Sequence, residues 1–517
     1  IYVFFVSWDK EVHPNYALNK RLAQFTESQG RGSVSLITQQ LPVESGIPFA
    51  HIKDDQQKAV RVGLSYLSGE GHVLVTAPTR SGKGLHLTET LLSWRGAAVI
   101  IDPKGEQFER TAAFRSQFGP VYRLPGHRIP LADYFGRLLD RDATAELHQH
   151  WMQPWKSRET IFAEKALSLF MAAGMFAQAK QLNPLRVLLD LAESDPVAAL
   201  SALESVPAAR RHVRVFTNGA KPDDYSDDKF VTSAYGSLTT RLAMYQKHID
   251  TIAPPDACRL IDPTWAANHG TIYLTYSLQE LQGAGGVVAS IIAALLRQQM
   301  EATSRRRLLV AIDELPALGL KNIVNYLATM GGFGVTLLLY VQSIAQLREL
   351  YGREGTRSVL SNCTHQIWYP PAEMETAEVM SKLYGMTLRA NPSQSSSTSS
   401  RQLRNGRGEQ TLSTNYNEGA SYAWQEKAEL LPSQMMALPR EQVLVSTLAD
   451  KRYLFMGQRL NPIPLFDSLP SPAPLHLPVA RYTDRNYLDW AALAANESTQ
   501  PDDVVDSAET SSVNDLF

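Results

Sequence analysis

Two kinds of hydrophobic pattern alternate along most of the chain. Short, continuous apolar runs rich in β-branched residues are typical of parallel strands that are buried on both faces. Longer stretches with apolar residues at every third or fourth position indicate helices. Together these patterns predict an α/β fold, with strands at 72–76, 97–102, 271–277, 308–312 and 335–341.

The second of these strands and the strand at 308–312 are separated by a stretch that is too long for a simple crossover connection. Ala, Leu and Met recur there at helical spacing, and the same spacing returns after the third strand at 285–300. We therefore predict an all-α insertion over about 140–255, with helices at 163–181, 184–194, 195–205 and 231–246.

The loop after the first strand reads APTRSGKG (77–84) and is close to the phosphate-binding pattern G-x-x-x-x-G-K-[ST]. It differs at Ala77, which replaces the first glycine, and at Gly84, which replaces the hydroxyl residue that holds Mg²⁺. A strand before it and a helix after it would place backbone N–H groups around a phosphate, and Lys83 would add a positive charge. The predicted nucleotide-binding residues are Pro78, Thr79, Arg80, Ser81, Gly82, Lys83, Gly84 and Leu85.

Acidic and polar side chains follow two later strands. Asp313 and Glu314 end the strand at 308–312, the pattern in which Asp313 holds Mg²⁺ and Glu314 orients and deprotonates the attacking water. With no hydroxyl at Gly84, water must fill one place on the metal. Gln342 ends the strand at 335–341 and either senses the γ-phosphate or caps the next helix.

Composition narrows the class of protein. A chain of 517 residues with 44 % hydrophobic and 20 % charged residues is typical of a globular protein with two or three domains. Cys258 and Cys363 are too few and too far apart for a disulfide scaffold or a zinc site, and fit buried thiols in a reducing compartment. A net charge of −2 means that any nucleic-acid binding must come from a local patch.

Three segments fall outside the core pattern. The run at 1–6 is either a core strand or the end of a membrane helix that begins upstream of residue 1. The Ser-rich segment 391–419 is predicted to be a mobile, solvated loop. The alternative is that Arg401, Arg404 and Arg407 contact the phosphate backbone of a nucleic acid. The acidic tail beyond 484 is predicted to be disordered and to serve as a docking segment.

Four motifs together resemble the coupling-protein ATPases of bacterial conjugation and type IV secretion. They are APTRSGKG, IIDPKGE at 100–106, AIDELPALG at 311–319 and LYVQSIAQL at 339–347, and the resemblance extends over about 70–465. It implies a RecA-like P-loop ATPase core that uses ATP and Mg²⁺ and a helical insertion that recognises substrate. It also implies a hexameric homo-oligomer on the cytoplasmic face of the inner membrane, anchored by segments upstream of residue 1. The implied partners are secretion-channel components and either relaxase-bound DNA or effector proteins.

The sequence differs from the family pattern at the arginine that a neighbouring subunit supplies to the nucleotide. Some members of the family place it just before the sensor strand, where this chain has Gly331 and Gly332. We predict that Arg357 takes this role, with Arg353 and Arg80 as alternatives.

These patterns predict five regions. They are an N-terminal membrane-proximal segment with the first strands at 1–70, the first part of the ATPase core at 71–139, the all-α insertion at 140–255, the second part of the core at 256–480 and the acidic tail at 481–517. The predicted function is an ATP-driven coupling motor. A docking platform that binds but does not hydrolyse nucleotide, and a related DNA-pumping motor, remain open, as does the choice of DNA or protein as cargo.

Overall fold

The computed structural model describes residues 34–37, 46–53, 59–66, 70–152, 160–254, 259–303, 306–318, 320, 322–404, 410–448, 452–462, 475, 477 and 488–495. The segment 1–6, Cys258 and the acidic tail beyond 495 lie outside these residues. In the described part of the chain, no helix is both long enough and apolar enough to span a bilayer.

Strand and helical segments alternate from residue 73 to residue 384, with a long run of helices over 131–252. The strands are β1 (Val34–Ile37), β2 (Gly46–Lys53), β3 (Ala59–Ser65), β4 (Val73–Thr76), β5 (Ala97–Ile101), β6 (Val121–Leu124), β7 (Thr271–Leu274), β8 (Leu308–Ile312), β9 (Val335–Val341), β10 (His365–Trp368), β11 (Met386–Arg404), β12 (Gln410–Ala428), β13 (Gln442–Leu448) and β14 (Arg452–Gln458). The helices are α1 (Lys83–Ser93), α2 (Glu106–Arg115), α3 (Leu131–Tyr134), α4 (Arg141–Trp151), α5 (Thr160–Ala179), α6 (Pro184–Asp190), α7 (Pro196–Ser205), α8 (Pro207–Phe216), α9 (Lys229–Ala243), α10 (Ile249–Ile252), α11 (Leu278–Glu301), α12 (Leu315–Leu318), α13 (Ile323–Thr329), α14 (Ile344–Asn362), α15 (Met374–Tyr384), α16 (Pro432–Met436) and α17 (Trp490–Ala495).

The chain divides into two compact units. The first, here called the sheet unit, comprises Ile1–Tyr122, Pro263–Leu278 and Ala302–His476. The second, the helical unit, comprises Arg123–Asp262, Gln279–Glu301 and Leu477–Phe517. Helices α3 to α10, nearly all of α11, and α17 therefore fall in the helical unit.

The sheet unit is built on a twelve-stranded mixed sheet with the order β1-β3-β2-β14-β13-β10-β4-β9-β8-β5-β7-β6. Its central strands, from β10 to β7, pair in parallel, whereas the pairs from β10 towards β1 are antiparallel. All residues of β4, β5, β8 and β9 are buried, as the continuous apolar runs predict for strands covered on both faces. The predicted strands are therefore confirmed, with ends that differ by a few residues.

The register of the central strands brings the predicted functional residues to one edge. Ile101 of β5 lies opposite Ile312 of β8, and Thr76 of β4 lies opposite Val341 of β9. Residues that follow these strands therefore share the carboxyl edge of the sheet, where ligands bind in open α/β folds.

The helical unit shows why its helices begin where they do. Asn183 and Asp195 precede prolines at the first positions of α6 and α7, and their side chains accept hydrogen bonds from the backbone of Leu185 and Ala198. Proline suits this position because its missing N–H has no acceptor there in any helix. The predicted helices are confirmed, and α8, which the sequence reasoning missed, lies between two of them.

The prediction of a mobile loop at 391–419 is wrong for the described residues. Strands β11 and β12 pair antiparallel along their whole length, from Met386 opposite Ala428 to Arg404 opposite Gln410. The Ser-rich composition wrongly indicated a loop, because the hydrogen bonds between strands are made by backbone groups, which serine has like any other residue. Thr and Tyr in this segment also favour strands.

Trp490 should be important for the stability of the helical unit. Its side chain is 6 % exposed, its ring centroid is 5.7 Å from that of Phe176, and its indole N–H lies 3.1 Å from Asp190 Oδ2 and 2.7 Å from Ser194 Oγ. We expect Trp490→Ala to cost about 3–5 kcal/mol and Trp490→Phe, which loses the N–H and part of the ring but keeps an aromatic side chain, about 1–3 kcal/mol. Hydrogen exchange of α5 and α7 peptides in the full chain measures the loss.

The matched control is Met374→Ala, because Met374 is 51 % exposed and belongs to the sheet unit. Unchanged protection of α5 and α7 in Trp490→Ala would show that α17 does not stabilise the helical unit.

Candidate functional site

The loop between β4 and α1 has the backbone shape of a phosphate-binding turn. Gly82 caps α1 with φ of 107°, and Arg80 also takes a left-handed conformation with φ of 62°. Ala77 does not have a positive φ, and its N–H donates to the carbonyl of Val341 at 2.9 Å. Alanine therefore fits this position without backbone strain, so the first glycine of the pattern is not needed here.

Lys83 lies directly against the two carboxylates that follow β8. Its ammonium donates to Glu314 Oε2 at 2.8 Å and to the backbone carbonyl of Asp313 at 2.7 Å, and lies 3.6 Å from Asp313 Oδ1. Burial raises the pKa of the Asp313 carboxyl, which the charge of Lys83 opposes and that of Glu314 reinforces. Residues more than two hundred positions apart in sequence thus form one charged cluster.

Gln342 connects this cluster to the loop. Its side-chain amide donates to Glu314 Oε1 at 3.2 Å, and its carbonyl oxygen accepts from Thr79 Oγ1 at 3.1 Å. The alternative role for Gln342 was to cap the next helix. Ser343 caps α14 instead, because its hydroxyl accepts a hydrogen bond from the N–H of Gln346. Both oxygens of Glu314 are therefore held, one by a cation and one by an amide.

These residues surround a cavity of about 430 Å³ within the sheet unit. The predicted nucleotide-binding residues all line it except Ser81, whose hydroxyl donates to the carbonyl of Pro78 at 2.6 Å. The full lining is Ala77, Pro78, Thr79, Arg80, Gly82, Lys83, Gly84, Leu85, Lys104, Glu106, Gln107, Arg110, Asp313, Glu314 and Gln342.

One wall of the cavity was missed by sequence reasoning. Lys104, Glu106, Gln107 and Arg110 come from the turn after β5 and the first half of α2. These residues flank those after β8 because β5 pairs with β8, a pairing that the apolar runs do not reveal. Burial raises the pKa of Asp313, and the positive charge of Lys104, like that of Lys83, opposes this rise.

Arg357, the predicted arginine of a neighbouring subunit, does not line this cavity. It is exposed on α14, as is Arg353. Arg80, the third candidate, is part of the cavity wall.

The residues present fit a magnesium ion. Asp313 Oδ1 is buried and has no hydrogen-bond partner among the described residues, so it can serve as a ligand oxygen. No group of three or more His, Cys, Asp or Glu in the described residues could hold a metal. A single carboxylate suits Mg²⁺, which keeps several waters and takes its other ligands from substrate phosphates.

Comparisons with known proteins agree on one family. The family model for type IV secretory system conjugative DNA transfer matches residues 38–451. The conjugal transfer protein TraG of Escherichia coli is 29 % identical over 369 residues, which cover 62 % of this chain and 56 % of TraG. VirD4 of Agrobacterium fabrum is 25 % identical over 348 residues, which cover 62 % of this chain and 51 % of VirD4. The chain spans about half the length of the curated relatives it matches.

Among solved structures, the conjugative coupling protein TrwB in complex with sulphate has a TM-score of 0.53 and 14 % identity, and the match covers 75 % of this chain and 85 % of TrwB. At this identity the likeness shows the fold, and it confirms the predicted α/β class with a large mixed sheet. TrwB has also been solved with ADP and Mg²⁺.

Proposed function

This chain belongs to the family of type IV secretory system conjugative DNA-transfer proteins, and from that premise we propose that it is an ATP-hydrolysing coupling protein. The observation that carries the proposal is the contact of Lys83 with Glu314 and Asp313 inside one cavity, with Gln342 on the far oxygen of Glu314. A cation, a metal-binding carboxylate, a base and a water-orienting amide are the groups that phosphoryl transfer to water requires.

The loop and α1 would bind the phosphates of ATP. The first N–H groups of a helix have no intrahelical acceptor, so the N-terminus of α1 and the loop amides attract anions. Lys83, the first residue of α1, would place its ammonium on the β- and γ-phosphates. Asp313 would hold Mg²⁺, which when bound neutralises phosphate charge.

Glu314 would act on the attacking water. Its carboxylate is paired with Lys83, and an incoming phosphate competes for the same ammonium. Transfer of Lys83 to the phosphate frees one oxygen of Glu314 to accept the proton of a water, while Gln342 keeps hold of the other. Phosphate binding and activation of the base are thereby linked through one lysine.

The helical unit would recognise the cargo. Helix α8 buries Ala209 and Val213 and exposes Arg210, Arg211 and Arg214, of which Arg214 also pairs with Glu204 at 2.9 Å. An exposed row of arginines suits a polyanion, which favours DNA, bound to its relaxase, over an effector protein. The predicted boundaries 140–255 of this substrate-recognition region remain part of the proposal.

The assembly and its location follow from the family alone and are proposed on that ground. The chain would form a homo-oligomer, with six copies as the family expectation, and would meet type IV secretion channel components at the cytoplasmic face of the inner membrane. The alternatives are a docking platform that binds nucleotide without turnover and a DNA-pumping motor with the same core.

Phosphate release by the full chain tests the proposal. The assay contains ATP and Mg²⁺, with or without single-stranded DNA, and uses Glu314→Gln as the blank. Mg²⁺-dependent release that DNA increases is expected for a coupling motor. Nucleotide-dependent assembly without any release would instead establish the docking platform.

A further inference from the structure

A buried amide lies beside the position where the phosphate-binding loop lacks its hydroxyl. Gln107 of α2 is 1 % exposed, yet it lines the nucleotide cavity. A Cβ built on Gly84 would lie 3.6 Å from Gln107 Nε2. Gln107 therefore occupies the space next to the one into which a serine at position 84 would project.

The contacts of Gln107 orient its side chain. Nε2 donates to the carbonyl of Gly84 at 3.1 Å, and Oε1 lies 2.8 Å from the hydroxyl of Thr88. Thr88 Oγ1 is also 2.8 Å from the Gly84 carbonyl, so the three groups form a closed network at the start of α1. An amide oxygen has two lone pairs, and the Thr88 hydroxyl takes at most one.

The backbone of α2 fixes Gln107 in place. The carbonyl of Gln107 accepts from Thr111 Oγ1 at 2.6 Å, and Asp102 Oδ2 accepts from the N–H of Phe108 at 2.9 Å. Asp102 follows β5, whose neighbour β8 leads directly into Asp313. The backbone around Gln107 is thus held by Thr111 and Asp102, and its side chain by Gly84 and Thr88, before any ligand binds.

We propose that Gln107 replaces the missing hydroxyl of the phosphate-binding loop, by accepting a hydrogen bond from a water on Mg²⁺ through the second lone pair of Oε1. The inference rests on the proposed function, because it needs a Mg²⁺–nucleotide at Asp313. It makes Gln107 a positioning residue, since it acts on the metal through water. The water that fills the place left by Gly84 thereby gains a fixed partner in the protein.

The test measures how much Mg²⁺ the full chain needs to bind a fluorescent ATP analogue. Groups that orient metal ligands are worth about 10–100-fold in metal affinity, so Gln107→Ala should raise the half-saturating Mg²⁺ concentration by at least about tenfold. Binding of the analogue in EDTA should not change. The matched control is Gln434→Ala, an exposed glutamine on α16.

A second substitution separates this role from a structural one. The Cβ of a serine at 84 would meet only ordinary van der Waals contact, so Gly84→Ser combined with Gln107→Ala should regain much of the lost Mg²⁺ affinity. Gln107→Glu keeps the volume and an acceptor oxygen, so it should fold and need less Mg²⁺ than Gln107→Ala. Equal weakening with Mg²⁺ and in EDTA, without rescue by serine, would overturn the inference.

The result for the unmodified chain distinguishes failure of the proposed function from failure of the role proposed for Gln107. If it binds the analogue with no dependence on Mg²⁺, the proposed function itself fails. If it shows Mg²⁺-dependent binding and Gln107→Ala matches it, only the role of Gln107 is excluded.

Discussion

Replacing Glu314 by glutamine is expected to lower ATP turnover by about 10²–10⁴-fold while nucleotide binding stays at least as tight as in the unmodified chain. An amide cannot accept the proton of the attacking water. It also releases Lys83, whose ammonium donates to Glu314 Oε2 at 2.8 Å. Because a phosphate and this carboxylate compete for the same cation, removal of the carboxylate charge should favour the phosphate.

Lys83→Ala should fail in a different way, with weaker nucleotide binding as well as lost turnover. It also leaves Glu314 and Asp313 without the cation that opposes their mutual repulsion. If γ-phosphate bridges two subunits, Glu314→Gln should show more assembled protein than the unmodified chain in ATP and Mg²⁺, and Lys83→Ala less.

Nucleotide affinity, phosphate release and oligomer mass measure these differences. Glu349→Gln and Lys382→Ala, both at exposed positions outside the cavity, serve as charge-matched controls. Hydrolysis by Glu314→Gln at the unmodified rate would show that the base has been misassigned. Weaker nucleotide binding by Lys83→Ala, with no phosphate release by the unmodified chain, would favour the docking platform, whereas no change in either variant would show that the loop does not bind nucleotide.

Much of this site could be predicted because it depends on strand ends. Buried parallel strands appear in the sequence as continuous apolar runs, and the residue after each run must lie at the carboxyl edge of the sheet. Asp313, Glu314 and Gln342 follow β8 and β9 directly, and Lys83 follows the loop after β4. The structure accordingly places all of them around one cavity.

The missed features depend on which strands are neighbours, which apolar runs do not reveal. Lys104 and Gln107 lie on the cavity wall only because β5 pairs with β8. The pairing of β11 with β12 is likewise a property of backbone register, which the Ser-rich composition does not encode. Local pattern predicts the elements, whereas their order in the sheet decides which side chains meet.

An arginine from α14 of a neighbouring copy is expected to complete the site. Helix α14 breaks at Gly352, which has φ of 68°, and Arg353 and Arg357 follow this break. They are four residues apart, so they share one face of the helix, and both are exposed. Neither lines the cavity of its own chain, so we expect either to act on the nucleotide of another copy.

Substitution of the arginine that a neighbouring copy supplies to the nucleotide should lower turnover by about 10³–10⁵-fold and leave nucleotide binding in place. Arg357→Lys should lose turnover as Arg357→Ala does, because a planar guanidinium contacts two phosphate oxygens at once and an ammonium does not. Phosphate release and nucleotide affinity of Arg353→Ala, Arg357→Ala and Arg357→Lys provide the measurement.

Mixing of inactive subunits shows whether the arginine acts between copies. Glu314→Gln keeps its arginines, and Arg357→Ala keeps an intact cavity. When the two are mixed, an Arg357→Ala cavity next to a Glu314→Gln copy should recover turnover that neither variant has alone. If Arg353→Ala and Arg357→Ala both keep full turnover, the charge must come from elsewhere, and Arg80 on the cavity wall becomes the next residue to substitute. Recovery in the mixture would require a site shared between subunits, since no single chain in it contains both groups.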